Sequence, residues 1–126
     1  MNPISEQLSI GTVGELLVQL RLLQFNVQAA PPLKDSGNDL IAVKGKVFRA
    51  IQVKTTRTGN INRSRLPKKY HILAVVYLAE ENTEVYLDQS KVFLVPRDRV
   101  AGLSPDIDDL DQFKLNAEHI NRLFSE

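Results

Sequence analysis

The sequence predicts a single α/β domain, a sandwich in which a central mixed β-sheet is flanked by helices. Three observations predict it. An apolar stripe at helical spacing opens the chain, and two alternating strands joined by a Gly-Lys turn follow. Then comes a continuous apolar run that is too short for a helix of ordinary length. At 126 residues there is room for one core and not for two comfortable ones, so 1–126 is read as one domain.

Val13, Leu16, Leu17, Leu20 and Leu23 fall on one side of the first helix and are expected to point inward. Ser5 or Thr12 can cap its start, while Asn26 with Pro31 and Pro32 ends it and begins a short extended piece. Gly37 and Asn38 turn into a strand over 39–44, and Gly45 and Lys46 form a tight turn into a longer strand over 47–55. Residues 56–69, rich in Arg, Lys, Asn, Ser, Thr and Gly, read as a mobile basic loop. The run 71–79 reads as a central strand covered on both faces. Strands over 85–87 and 91–95 around a turn at Asp88 and Gln89 are expected next, then a short helix over 97–103. A terminal helix over 117–124 turns Ile120, Leu123 and Phe124 inward.

A net charge of +1 hides a strong segregation. Residues 1–33 carry −1 and residues 70–126 carry −6, whereas 34–69 carry +8, with only Asp35 and Asp39 against ten Lys or Arg. So long a segment nearly free of acids points to a polyanion-binding face more than to a merely solvated one. Arg57, Arg63, Arg65, Lys68 and Lys69 are the expected phosphate contacts, with Thr55, Thr56, Asn60 and Asn62 as neutral donors. The chain has no cysteine, which excludes disulfides and thiolate metal sites and fits a reducing cytoplasm. Its longest apolar stretch, 16–23, is interrupted by Gln19 and Arg21, so no membrane partner is expected.

With Gly45 at the first central position of a type II′ turn, Lys44 pairs with Val47 and Val43 with Phe48. Counting outward, Asp39 then lies opposite Gln52, with Cβ atoms roughly 4.5–5.5 Å apart. Lys54 shares the face of Gln52, and Ile51 and Val53 point the other way into the core. A carboxylate, an amide and an ammonium converge on one patch of sheet.

This arrangement resembles the PD-(D/E)XK nuclease superfamily, with its restriction-endonuclease-like fold shared by Holliday junction resolvases and some homing endonucleases. The positions that match the family's roles are Asp39, Gln52, Lys54 and, on the first helix, Glu15; the likeness runs from about Gln7 to Ala79. Asn38 stands where the family often has Pro, and Gln52 replaces the acidic residue, a Gln-X-Lys variant. The resemblance implies Mg²⁺-dependent hydrolysis of DNA phosphodiesters, with Mn²⁺ as an alternative cation. Its ligands would be Asp39, the Gln52 amide oxygen, the Val53 carbonyl and Glu15, and Lys54 would serve the attacking water or the transition state. Severing both strands in one encounter calls for two sites, hence a homodimer or larger, with Phe113, Leu115, Ile120, Leu123 and Phe124 supplying either apolar interface or core.

Each residue also has a plainer reading. Thr12-Val-Gly-Glu15 fits a capping box, which would occupy Glu15. Asp39 could close a turn, and Lys54 could be an exposed strand lysine. His71 and His119 have no partner at ligand spacing. Asp106, Asp108, Asp109 and Asp111 lack the Gly and final bidentate Glu of a calcium loop. At the level of function, the alternatives to an endonuclease are a non-cleaving DNA-binding or assembly subunit of the same fold, and an α/β module whose basic loop meets a protein.

Overall fold

The structure, a computed structural model, describes residues 6–34, 37–82, 84–104 and 106–126. The candidate cap Ser5 lies outside them. The element order is α1 (Glu6–Leu23), β1 (Gln28–Ala30), β2 (Leu40–Lys44), β3 (Val47–Thr56), β4 (Ile72–Tyr77), β5 (Glu80–Glu81), β6 (Glu84–Val85), β7 (Lys91–Pro96), α2 (Arg97–Val100), a 3₁₀ helix (Ile107–Phe113) and α3 (Ala117–Leu123).

Five strands form one mixed sheet in the order β1-β2-β3-β4-β7, in which only β3 and β4 run parallel. The hairpin register matches expectation: Lys44 pairs with Val47 and Val43 with Phe48. Gly45 takes φ +62°, as the first central position of a type II′ turn requires. β4 alternates between two cores. Ile72, Ala74 and Val76 join the cluster beneath α1, and Leu73 and Val75 join a second cluster on the opposite face with Phe93, Leu110 and Phe113. A strand buried on both sides reads as a continuous apolar run. Of the strands expected over 85–87 and 91–95, the second forms as expected and the first is shifted to 84–85, and the two do not pair with each other. Glu84–Val85 pairs back with Glu80–Glu81, and Lys91–Pro96 joins the main sheet beside β4.

α1 ends in a Schellman motif. Asn26 adopts φ +63°, its N–H reaches Leu23 O, and the Val27 N–H reaches Leu22 O, with Leu22 and Val27 both buried. Of the expected stripe, Val13 and Leu17 meet the core and the other three do not. Leu17, Val18 and Leu22 are buried, whereas Leu16, Leu20 and Leu23 are 57%, 47% and 59% exposed. The helix is apolar on two sides, so spacing alone does not choose between them. Gly14 chooses: a Cβ there would collide with Thr55 Oγ1 and lie 3.0 Å from Thr55 Cβ. The glycine lets α1 settle on β3, and the residues sharing its face, Leu17, Val18 and Leu22, go down with it. Arg21 lies on that side too, which disguises the stripe; its guanidinium donates to the carbonyls of Leu87 and Ser90.

The C-terminal segment is core, not free surface. Phe113, Ile120 and Phe124 are buried, and Leu115 and Leu123 pack against the first cluster. Asn116 caps α3 by accepting from the His119 N–H at 2.8 Å. Buried His119 places Nε2 2.7 Å from Leu94 O, a structural role at the outer strand of the sheet. Exposed His71 accepts from the Ala50 N–H through Nδ1.

Replacing Gly14 by Ala should destabilise the protein by about 1–3 kcal/mol through overpacking against Thr55. At Gly11, where no described atom beyond the local helix backbone lies within 4 Å of an added Cβ, the same change should stabilise by up to about 1 kcal/mol through helix propensity. Denaturant unfolding of the two variants checks the contrast.

Candidate active site

Asp39 sits at the bend just before β2, and its backbone N–H donates to Ile51 O at 3.1 Å. Its carboxylate continues where the strand has not yet begun: Oδ2 accepts from the Val53 N–H at 2.8 Å. One step outward from the last paired residues, Leu40 and Ile51, Asp39 stands opposite Gln52. In a strand the N–H and C=O of one residue leave on the same side, so the Val53 carbonyl also points toward Asp39. Ile51 and Val53 pack into the α1 core, and Gln52 and Lys54 leave on the opposite face, level with Leu73 and Val75 of β4. One end of the β2–β3 pair therefore carries Asp39, Gln52, Val53 and Lys54.

Glu15 approaches from α1. Because the helix already begins at Glu6, Thr12 is an interior residue and the capping box does not form. The neighbouring Gly14 presses this turn of helix against β3. The Glu15 carboxyl titrates above its ordinary range, first because it is partly desolvated and second because it feels the charge of Asp39. That coupling ties the two carboxylates to one electrostatic neighbourhood. The site thus straddles the sheet, with Glu15 on one side, Gln52 and Lys54 on the other, and Asp39 between them.

Gln52 Oε1 is buried and has no hydrogen-bond donor among the described residues. A buried acceptor left unmatched costs free energy unless something electropositive meets it. Lys54 does have a partner, since Nζ donates to the main-chain carbonyl of Ser64 at 3.1 Å. The loop after β3 is fastened a second time by Asn38, whose Nδ2 donates to Lys69 O at 3.0 Å. Neither Ser64 nor this role of Asn38 is visible in the strand pattern. The only advance signal is that Asn38 adjoins Asp39.

The donor set suits a hard cation with few protein ligands. Among the described residues no three His, Cys, Asp or Glu side chains gather at one point. What the chain offers is two mutually repelling carboxylates, an unmatched amide oxygen and a backbone carbonyl. Mg²⁺ is commonly held by one or two carboxylates, with water and substrate phosphate completing an octahedron, so these residues fit it.

The basic loop divides into two groups. Arg65, Lys68 and Lys69 are exposed. Arg57 pairs with Glu80 at 3.3 Å, and half-buried Arg63 donates to Val100 O at 3.0 Å. The neutral candidates have internal roles: Thr55 meets Gly14, and Thr56 Oγ1 accepts from the N–H groups of Thr58 and Gly59. Asn60 forms a β-bridge with Asp106 through its backbone and keeps an exposed side chain. Asn62 Oδ1 accepts from both the N–H and the hydroxyl of Ser64, at 2.9 and 2.6 Å. Exposed Asp106, Asp109 and Asp111 flank or lie on the 3₁₀ helix, the Asp108 side chain lies outside the described ones, and among the described residues no metal cluster gathers.

Glu15 has a raised folded pKa, so its contribution to stability is complete below the unfolded value near 4.5 and is lost as pH rises through the folded value. Glu15→Gln should therefore raise the Tm of metal-free protein at neutral pH, with the difference vanishing well below pH 4.5. Added Mg²⁺ should stabilise the wild type more than the variant. Thermal melts across pH, with and without the cation, read both effects.

No protein-family model matches the chain, and no curated protein sequence matches it. In structure the chain is similar to the bacterial homing endonuclease I-Ssp6803I, with a TM-score of 0.59 at 20% sequence identity, over 95% of this chain and 91% of the other. At that identity the likeness speaks for the fold alone, a mixed five-stranded sheet flanked by helices that this chain shares with that endonuclease.

Proposed function

We propose that the protein is a divalent-metal-dependent DNA endonuclease of PD-(D/E)XK type, in the Gln-X-Lys form. One observation carries the reading: the Asp39–Val53 bond gathers Asp39, Gln52, the Val53 carbonyl and Lys54 at one end of the hairpin, in a nuclease-like fold. Asp39, Gln52 Oε1, the Val53 carbonyl and Glu15 would hold the cation. When bound, Mg²⁺ or Mn²⁺ offsets charge on the phosphate and makes a nucleophile available from water. Lys54 orients that water or offsets transition-state charge with the ammonium hydrogens not given to Ser64. Arg65, Lys68 and Lys69 grip DNA phosphates, joined by the remaining donors of Arg57 and Arg63. A chain without cysteine acting on DNA suits a reducing cytoplasm, and no described helix is long and apolar enough to cross a membrane.

The test is incubation of purified protein with linear, circular and branched DNA, with and without Mg²⁺ or Mn²⁺. Metal-dependent cleavage is expected, reduced about 100-fold or more by Asp39→Ala or Lys54→Ala. Gln52→Glu adds a charge at nearly constant shape and should tighten cation binding by calorimetry. A lower Tm with no gain in metal affinity would remove Gln52 from the ligand set. Absence of metal-dependent cleavage on every substrate would leave a DNA-binding or assembly subunit.

The working assembly we propose is a pair of copies meeting through α1. Leu16, Leu20 and Leu23 form an exposed apolar row, bordered by Ser9, Thr12, Gln24 and Gln28 with no exposed charge among them. An uncharged face can meet its own copy about a two-fold axis without repulsion, and two sites serve two strands. Light scattering should report a dimer for the wild type and a monomer for Leu20→Lys. A wild-type monomer with and without DNA overturns this assembly.

A further inference from the structure

Lys54 carries a four-carbon stem with many rotamers, so the strand by itself fixes its root and not its ammonium. Its aim is set from the loop. Nζ donates to Ser64 O at 3.1 Å, and three features present that carbonyl. Asn62 Oδ1 accepts from the Ser64 N–H and hydroxyl, closing a compact turn of the kind Asn side chains form two residues ahead. Arg65 takes φ +60°, a left-handed value that bulky residues rarely adopt, and so reverses the chain directly after Ser64. Arg63, between Asn62 and Ser64, anchors the turn to the end of α2 through Val100 O at 3.0 Å. Strained backbone persists where its surroundings over-determine it, and it clusters at functional sites.

We infer that the 62–65 turn is a positioning device for Lys54, and that Asn62 is its key residue rather than a phosphate contact. A neutral carbonyl accepts one ammonium hydrogen and directs the other two, without the charge cancellation that a carboxylate partner would bring. The same turn continues into exposed Arg65, Lys68 and Lys69, and Asn38 beside Asp39 holds Lys69 O at 3.0 Å. Phosphates gripped by those cations therefore bear on the same short segment that aims the lysine. The inference rests on the endonuclease reading for its catalytic meaning, while the hold on Lys54 stands as geometry by itself.

The experiment uses the full chain with Asn62→Ala and Asn62→Asp, the latter keeping the Oδ acceptor. Nitrogen-15 NMR of lysine ammonium groups reports the hold independently of cleavage. In the wild type the Lys54 ammonium hydrogens should exchange slowly with water; in Asn62→Ala that protection should be lost, and in Asn62→Asp retained. On cleaved DNA at saturation, Asn62→Ala should lower kcat by about 10- to 100-fold with KM and metal affinity unchanged, and Asn62→Asp should restore kcat. A raised KM with unchanged kcat would make Asn62 a phosphate contact and overturn the inference, as would ammonium protection unaffected by Asn62→Ala. A wild type inert on all DNA, with Lys54 protected, would overturn the endonuclease reading and the catalytic role together while sustaining the hold.

Discussion

The bond between the Asp39 carboxylate and the Val53 N–H is the constraint on which the site depends. β2 starts at Leu40, so Val53 has no strand residue beyond it to accept its N–H. The Asp39 side chain supplies the acceptor at 2.8 Å, and in doing so a charged group is fixed at the mouth of the hairpin. Charge-assisted bonds of this length are among the stronger ones available to a carboxylate. The bond engages one carboxylate oxygen and turns the group toward the edge occupied by the Val53 carbonyl. Remove it, and Asp39 loses its aim, Glu15 loses the neighbour that perturbs it, and the hairpin loses its last rung.

How much of this could be read in advance follows the range of the interactions. The hairpin register was legible because one glycine in a two-residue turn determines every pair above it, from Lys44 and Val47 out to Asp39 and Gln52. The central strand was legible because burial on two faces leaves an unbroken apolar run. The inward face of α1 was not, because Leu16, Leu20 and Leu23 make as regular a row as the residues that are buried. The deciding residue, Gly14, shows its meaning only against Thr55, forty-one positions later. The capping box at Thr12 failed for a related reason: a local motif fits wherever its letters occur, and the helix had already begun. Ser64 was invisible because it acts through its backbone, which carries no sequence signal of its own.

Electrostatics favour a glutamine over a carboxylate at position 52. Glu15 already titrates high because it is partly buried beside Asp39, and a third carboxylate at position 52 would add to that repulsion in the metal-free protein. Gln52 avoids the charge and instead leaves a buried oxygen unmatched, a smaller cost than an unpaired buried carboxylate. On the proposed reading such a site would hold a free cation weakly and would be completed by substrate phosphate. Metal and DNA would then reinforce each other's binding, as reciprocal coupling between two ligands requires.

The same economy extends to the basic segment. Its +8 charge is not one uniform surface, since Arg63 and Asn62 hydrogen-bond within the protein to build a turn while the side chains of Arg65, Lys68 and Lys69 face solvent. A phosphate backbone meeting the outer residues would pull on a segment whose inner residues aim Lys54 and whose end is tied to Asn38. Coupling of this kind needs no long pathway. It needs only that grip and aim share one short run of chain, and the eight residues from Asn62 to Lys69 would carry both.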